Sequence, residues 1–134
     1  MVKFYELDKD PVVRDELAKI IIHNKVAGYN NQRAMDKIKS GQMPGPEMSM
    51  AKLAGTANMM RLGDFVSMVL GPKLIADSGE WGTYAWNQLI LGTPGGRIAG
   101  GSDEVMRNIV AERVLGMPKD PGIDSKSAFK DLKK

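Results

Sequence analysis

From Val13 onward, apolar or small side chains recur at Leu17, Ile20, Ile21, Ala27, Ala34, Met35 and Ile38, a spacing that gathers them on one side of a helix. Asp10 can cap the first free amides of that helix, and Pro11 suits its opening turn because its missing N–H would be unpaired anyway. Gly41 offers a left-handed stop, with Pro44 beyond it. The pattern predicts a helix of about thirty residues, roughly 45 Å long. Asn24, Gly28 and Asn31 interrupt its apolar face, so a neighbouring backbone is expected to pass close there.

A second start follows at Gly45-Pro46-Glu47, with a tolerated cap, a proline at the first helical position and an acid in the first turn. Its apolar face takes Met50, Leu53, Ala57, Met60 (or Met59), Phe65, Met68 and Val69. Gly71-Pro72 breaks it, leaving Lys73 to Ala76 as at most a short extension. Asp77, Ser78 and Gly79 read as a turn. Trp81 to Leu91 reads as a shorter helix, and the glycine-rich run from Gly92 to Gly101 follows it. Ser102 then caps a last helix with Asp103 and Glu104 in its first turn, running through Val105, Ile109, Val110 and Val114 to Leu115-Gly116. No stretch alternates with the period of a strand. The expected fold is all-α, an up-and-down helical bundle over residues 10–118. Residues 1–9 form a lead-in, and residues 119–134 a basic, flexible tail.

Composition narrows the chemistry. At 134 residues and 14.6 kDa the chain makes one domain, and size scaling lets it bury about two-thirds of its unfolded surface. It has no cysteine, which excludes disulfides, thiolate metal sites and cysteine nucleophiles, and its single histidine excludes a multi-histidine centre. That histidine, His23, sits on a flanking face of the first helix and reads as structural or surface. The methionines, among them Met48, Met50, Met59, Met60 and Met68, read as filling an irregular core. Trp81, Tyr84 and Trp86 read as packing near a helix end. The net charge is +3, but residues 117–134 contribute +2 of it, so the excess lies on the tail and not on a nucleic-acid-binding face. No apolar run spans a membrane and no signal-peptide pattern opens the chain. The expectation is a soluble cytoplasmic domain that binds neither nucleic acid nor membrane.

The run Gly95 to Ser102 approaches the outline of a phosphate loop, but Gly101 stands where the lysine is required and no strand precedes it, which rejects a nucleotide triphosphatase. Two adjacent glycines before a helix start still let the backbone pack against something flat or anionic, with the first amides of the helix aimed at the same place. A tight turn with a serine cap explains the segment equally well. Asp103 and Glu104 disfavour a bare phosphate there and suit hydroxyl groups, as on a ribose or ribityl chain.

The residues from Ile98 to Pro118, I-A-G-G-S-D-E-V-M-R-N-I-V-A-E-R-V-L-G-M-P, closely resemble the C-terminal signature of acyl-CoA dehydrogenases. Gly45 to Leu53, G-P-E-M-S-M-A-K-L, resembles a second stretch of that family, and the likeness covers the chain from Asp10 to Pro118. The resemblance implies a flavoenzyme with an N-terminal helical domain, a middle β-domain and a C-terminal bundle. Such enzymes oxidise the Cα–Cβ bond of an acyl-CoA to trans-2-enoyl-CoA. A carboxylate takes the α-proton, and FAD, lying between domains and across a subunit interface, accepts the β-hydride. This chain resembles the C-terminal bundle without its first helix. Gly101, Ser102 and Glu104 then belong to the FAD site, and Gly100 stands where many members carry the catalytic glutamate. Its N–H can still polarise the thioester carbonyl, but no catalytic base is implied within this chain. Tyr84 to Leu89 does not reproduce the glutamine–glycine–glycine stretch that holds the flavin from a partner subunit, so the implied FAD site is partial. The reading is an acyl-CoA dehydrogenase C-terminal domain, inactive alone, that meets its acyl-CoA substrate within a homo- or hetero-oligomer. The alternative is a non-catalytic helical interaction module, or degenerate subunit, paired with a flavin-bearing chain.

Overall fold

The computed structural model describes residues 1–43, 45–75, 79 and 83–119. Among these there is no strand. They form four α-helices, α1 (Pro11–Lys39), α2 (Met48–Leu70), α3 (Thr83–Ile98) and α4 (Asp103–Arg113), with a 3-10 turn over Gly71–Leu74 directly after α2. The all-α expectation holds.

Local chemistry sets the ends. Asp10 Oδ1 accepts from Val12 N at 2.8 Å and Val13 N at 3.0 Å, with Pro11 opening α1. Gly41, at φ +80°, turns the chain where α1 stops. The second helix starts later than its signals suggest: Pro46 and Glu47 form a turn, and Glu47 occupies the cap position without a side-chain cap. Its carboxylate pairs instead with Lys37, closing the α1–α2 connection. The expected turn at Asp77 and Ser78 and the Trp81 start of the third helix lie outside the described residues.

α2 is the hub, since α1, α3 and α4 each pack against it. α1 and α2 run antiparallel, as the pairings show: Lys37 meets Glu47, Asn24 meets Asn58, and Ile20 meets Phe65. Val13, Ile20 and Phe65 form the core cluster, and Met1, Val2, Leu7, Leu17 and Val69 close around it, so part of the lead-in packs. Val66 is fully buried, at 0% exposure. A polar bridge crosses the same interface. Asn58 Nδ2 donates to Asn24 Oδ1 at 3.2 Å, and Arg61 Nη1 donates to Asn58 Oδ1 at 3.2 Å, which satisfies a buried amide that would otherwise be costly.

Several expected core positions are exposed, because α1 contacts α2 along one narrow stripe. Ile21, Met35 and Ile38 face outward, as do Met48, Met59 and Met68, whereas Met50 and Met60 are half-buried, so only part of the methionine set packs inward. A Cβ placed on Gly28 would meet nothing within 4 Å, and no backbone approaches there. His23 is exposed, in line with its surface reading. Tyr84 is exposed too, its hydroxyl accepting from Gln88 Nε2 at 3.1 Å, whereas Trp86 is half-buried.

Candidate functional site

The third helix does not stop at Leu91. It continues through Gly92, Pro94, Gly95 and Gly96 to Ile98, and Ala99 N still donates to Gly95 O at 2.9 Å. Glycine and proline both weaken a helix interior, so sequence propensity argued for a loop. Packing on α2 overrides it: a Cβ on Gly63 of α2 would lie 3.5 Å from Ile90, and one on Gly96 would lie 3.9 Å from Thr56. Pro94 cannot donate to Ile90 O, and the neighbouring Thr93 hydroxyl does so instead at 3.0 Å.

The bend therefore shrinks to Ala99-Gly100-Gly101. Gly100 has φ +65° and Gly101 φ +100°, backbone that other residues adopt only with strain. Ala99 and Gly100 are exposed, so the bend has an open side. Ser102 follows as the cap of α4, its hydroxyl accepting from Val105 N at 3.4 Å. Glu104 is exposed, 3.8 Å from Arg107 Nη1, and its own backbone N–H and the Ser102 hydroxyl hold its carboxyl below the usual range. Ser102 and Glu104 share a hollow of about 280 Å³ with Met60, Arg97 and Ile98. The structure thus brings Gly100, Gly101, Ser102 and Glu104 to one surface.

Four participants, Asp103, Arg97, Thr56 and Lys52, escape the sequence reading. Asp103, read as a first-turn acid facing the helix dipole, is buried; its Oδ2 accepts from Arg97 Nε at 2.6 Å and its Oδ1 lies 3.4 Å from the Thr56 hydroxyl. The Arg97 guanidinium outweighs burial and holds the Asp103 carboxyl below its usual range. Lys52 Nζ donates to Gly101 O, tying the bend to α2. Opposite charges at 97 and 103, flanking the paired glycines, were the available signal. Beside this cluster an apolar groove of about 490 Å³ runs between α2 and α3, floored by Gly55, Gly92 and Gly96. Among the described residues no three His, Asp or Glu converge to hold a metal, and no helix is long and apolar enough to cross a membrane.

The two glycines separate in their tolerance. A Cβ on Gly100 would meet nothing within 4 Å, whereas one on Gly101 would lie 2.5 Å from Met106 Cε. Gly100→Ala is expected to lose only the left-handed strain, about 1–2 kcal/mol. Gly101→Ala must also displace Met106, for a loss of about 2–3 kcal/mol. Urea unfolding of the two variants checks the ordering, and a smaller loss at Gly101 would contradict it.

The family profile described as acyl-CoA dehydrogenase, C-terminal domain, matches residues 5–115. The acyl-CoA dehydrogenase IpdE1 of Mycobacterium tuberculosis is 32% identical over 118 residues, covering 83% of this chain and 28% of that protein. The acyl-CoA dehydrogenase FadE34 of the same organism is 25% identical over 117 residues, covering 85% of this chain and 15% of its own length. Among solved structures, the Tcur3481-Tcur3483 steroid ACAD superposes with a TM-score of 0.77 at 21% identity, over 89% of this chain and 32% of that one. The chain spans less than a third of the length of each of these relatives.

Proposed function

This chain belongs to the acyl-CoA dehydrogenase family, matching its C-terminal helical domain, and from that membership we propose that its 99–104 bend forms one wall of an FAD site in a larger acyl-CoA dehydrogenase. The observation that carries the reading is the exposed paired-glycine bend feeding straight into the Ser102 cap. The residues fit such a role. Nothing lies within 4 Å of the space beside Gly100, the Ser102 hydroxyl stands close along the chain, and the exposed Glu104 carboxylate, which already accepts from that hydroxyl, has oxygens left for ribose or ribityl hydroxyls. The hollow that Ser102 and Glu104 share, about 280 Å³, falls below the roughly 300–1,000 Å³ of a complete small-molecule pocket, which suits a partial site completed by other walls. The flavin, when bound, supplies the acceptor for the hydride leaving the acyl β-carbon. The chain's own part is to hold that cofactor and to aim the Gly100 N–H at the thioester carbonyl, where it stabilises negative charge developing on oxygen. The base that removes the α-proton comes from outside these residues.

A second reading, a helical interaction module pairing with a flavin-bearing chain, draws on Tyr84, Leu91 and Ile98. These are 60%, 81% and 72% exposed and lie seven residues apart along one side of α3, an apolar row of the kind that seats a partner helix. Both readings require association, and the flavin separates them. In the assembled protein, Ser102→Ala is expected to raise the FAD dissociation constant about three- to tenfold, the worth of one hydrogen bond, while α4 stays helical. Ser102→Thr, which keeps the hydroxyl, is expected to restore it. Unchanged FAD affinity in Ser102→Ala would reduce Ser102 to a helix cap and favour the interaction module.

A further inference from the structure

We propose that Arg97 and Asp103 are a positioning pair that clamps the Gly100–Gly101 bend into the one conformation in which it presents Ser102 and the neighbouring amides to a ligand; the ligand half of this statement rests on the FAD reading above. The pair spans the five residues 98–102, joining the last turn of α3 to the first residue of α4 at 2.6 Å. Two consecutive glycines at positive φ have more backbone freedom than any other residue pair, so an unrestrained bend here would sample many conformations. The clamp opposes this at three points. Arg97 holds the chain before the bend, Lys52 takes the Gly101 carbonyl within it, and Asp103 anchors it beyond.

The pair is unlike an ordinary surface ion pair, because the Asp103 side chain is only 7% exposed and its second oxygen faces the Thr56 hydroxyl of α2. The Lys52 contact adds direction. In a planar trans peptide the carbonyl and the following N–H point opposite ways, so drawing the Gly101 carbonyl toward α2 turns the Ser102 N–H away from it. Arg97 and Asp103 thus act through the bend and touch no reacting atom.

Amide hydrogen exchange tests the clamp in this chain. The reporters are the amides of Val105, which donates to Ser102 Oγ, and Met106, which donates to Ser102 O. Asp103→Asn and Arg97→Gln are each expected to speed exchange at these two amides about tenfold while amides of α1 keep their rates. The double variant is expected to add little to either single change, because the two side chains act as one unit. Arg97→Lys, a milder change that keeps the charge, is expected to recover part of the protection. Unaltered rates at Val105 and Met106 in both single variants would overturn the proposal, as would acceleration spread equally into α1, which would make the pair a general fold contact. In the assembled flavoprotein the same variants are expected to release FAD faster by a similar factor. A bend that loosens while FAD release stays unchanged upholds the clamp and sinks the FAD reading alone.

Discussion

Phe65→Ala is expected to cost about 3–5 kcal/mol, a large part of the roughly 5–15 kcal/mol that keeps a domain folded. Phe65 is 5% exposed and joins α2 to Val13 and Ile20 of α1, while Met1, Val2 and Leu7 of the N-terminal turns pack around the same cluster. Removing the ring leaves a cavity that helices held along a single stripe have little means to collapse. α1 depends on it, because α1 packs on α2 and makes no comparable contact with α3 or α4. Urea unfolding followed by circular dichroism measures the loss, with Leu91→Ala as the comparison. Leu91 is 81% exposed, and its truncation is expected to stay within about 0.5 kcal/mol. A loss below about 1 kcal/mol for Phe65→Ala would show that the cluster does not hold α1 in place.

Pro94→Ala has the opposite sign. A proline inside a helix lacks the N–H that bonds four residues back and crowds the carbonyl there, at a cost of about 3 kcal/mol relative to alanine. Pro94 stands inside α3, and the carbonyl it strands is that of Ile90. The Thr93 hydroxyl already donates to that oxygen at 3.0 Å, recovering part of the cost. The expected gain is therefore about 2–3 kcal/mol, read as a higher urea midpoint at an unchanged slope. The two residues are coupled. Thr93→Val alone is expected to lose about 1 kcal/mol by leaving Ile90 O without a donor. In the Pro94→Ala background the same change is expected to cost much less, since a backbone N–H has taken over. Equal losses in both backgrounds would show that the hydroxyl does not serve that carbonyl.

Particular residues show how far the chain could be read before folding. The Asp10-Pro11 start, the Gly41 stop and the Ser102 cap were legible because capping is local: a side chain bonds amides two or three positions away, whatever lies elsewhere. The bend at Gly100-Gly101 was legible for the same reason, and its glycines do take positive φ. Local chemistry misled where distant packing outweighed it. Gly92 to Gly96 reads as a loop yet is helical, because α2 lies beneath it. Ile21, Met35, Ile38, Met48, Met59 and Met68 read as core yet are exposed, because a helical period records which residues share a side but not whether anything covers it.

The caps at Asp10 and Ser102, the break at Gly71-Pro72, the helix number and the glycine bend were thus written in the order of residues, since each depends on neighbours within a turn or two. The choice of α2 as hub, the surfaces left open and the burial of Asp103 against Arg97 and Thr56 arose only when segments far apart along the chain met in space, as Thr56 and Asp103 do across 47 positions. Such meetings are settled by which surfaces exclude water together, a property of the assembled helices and of no single one.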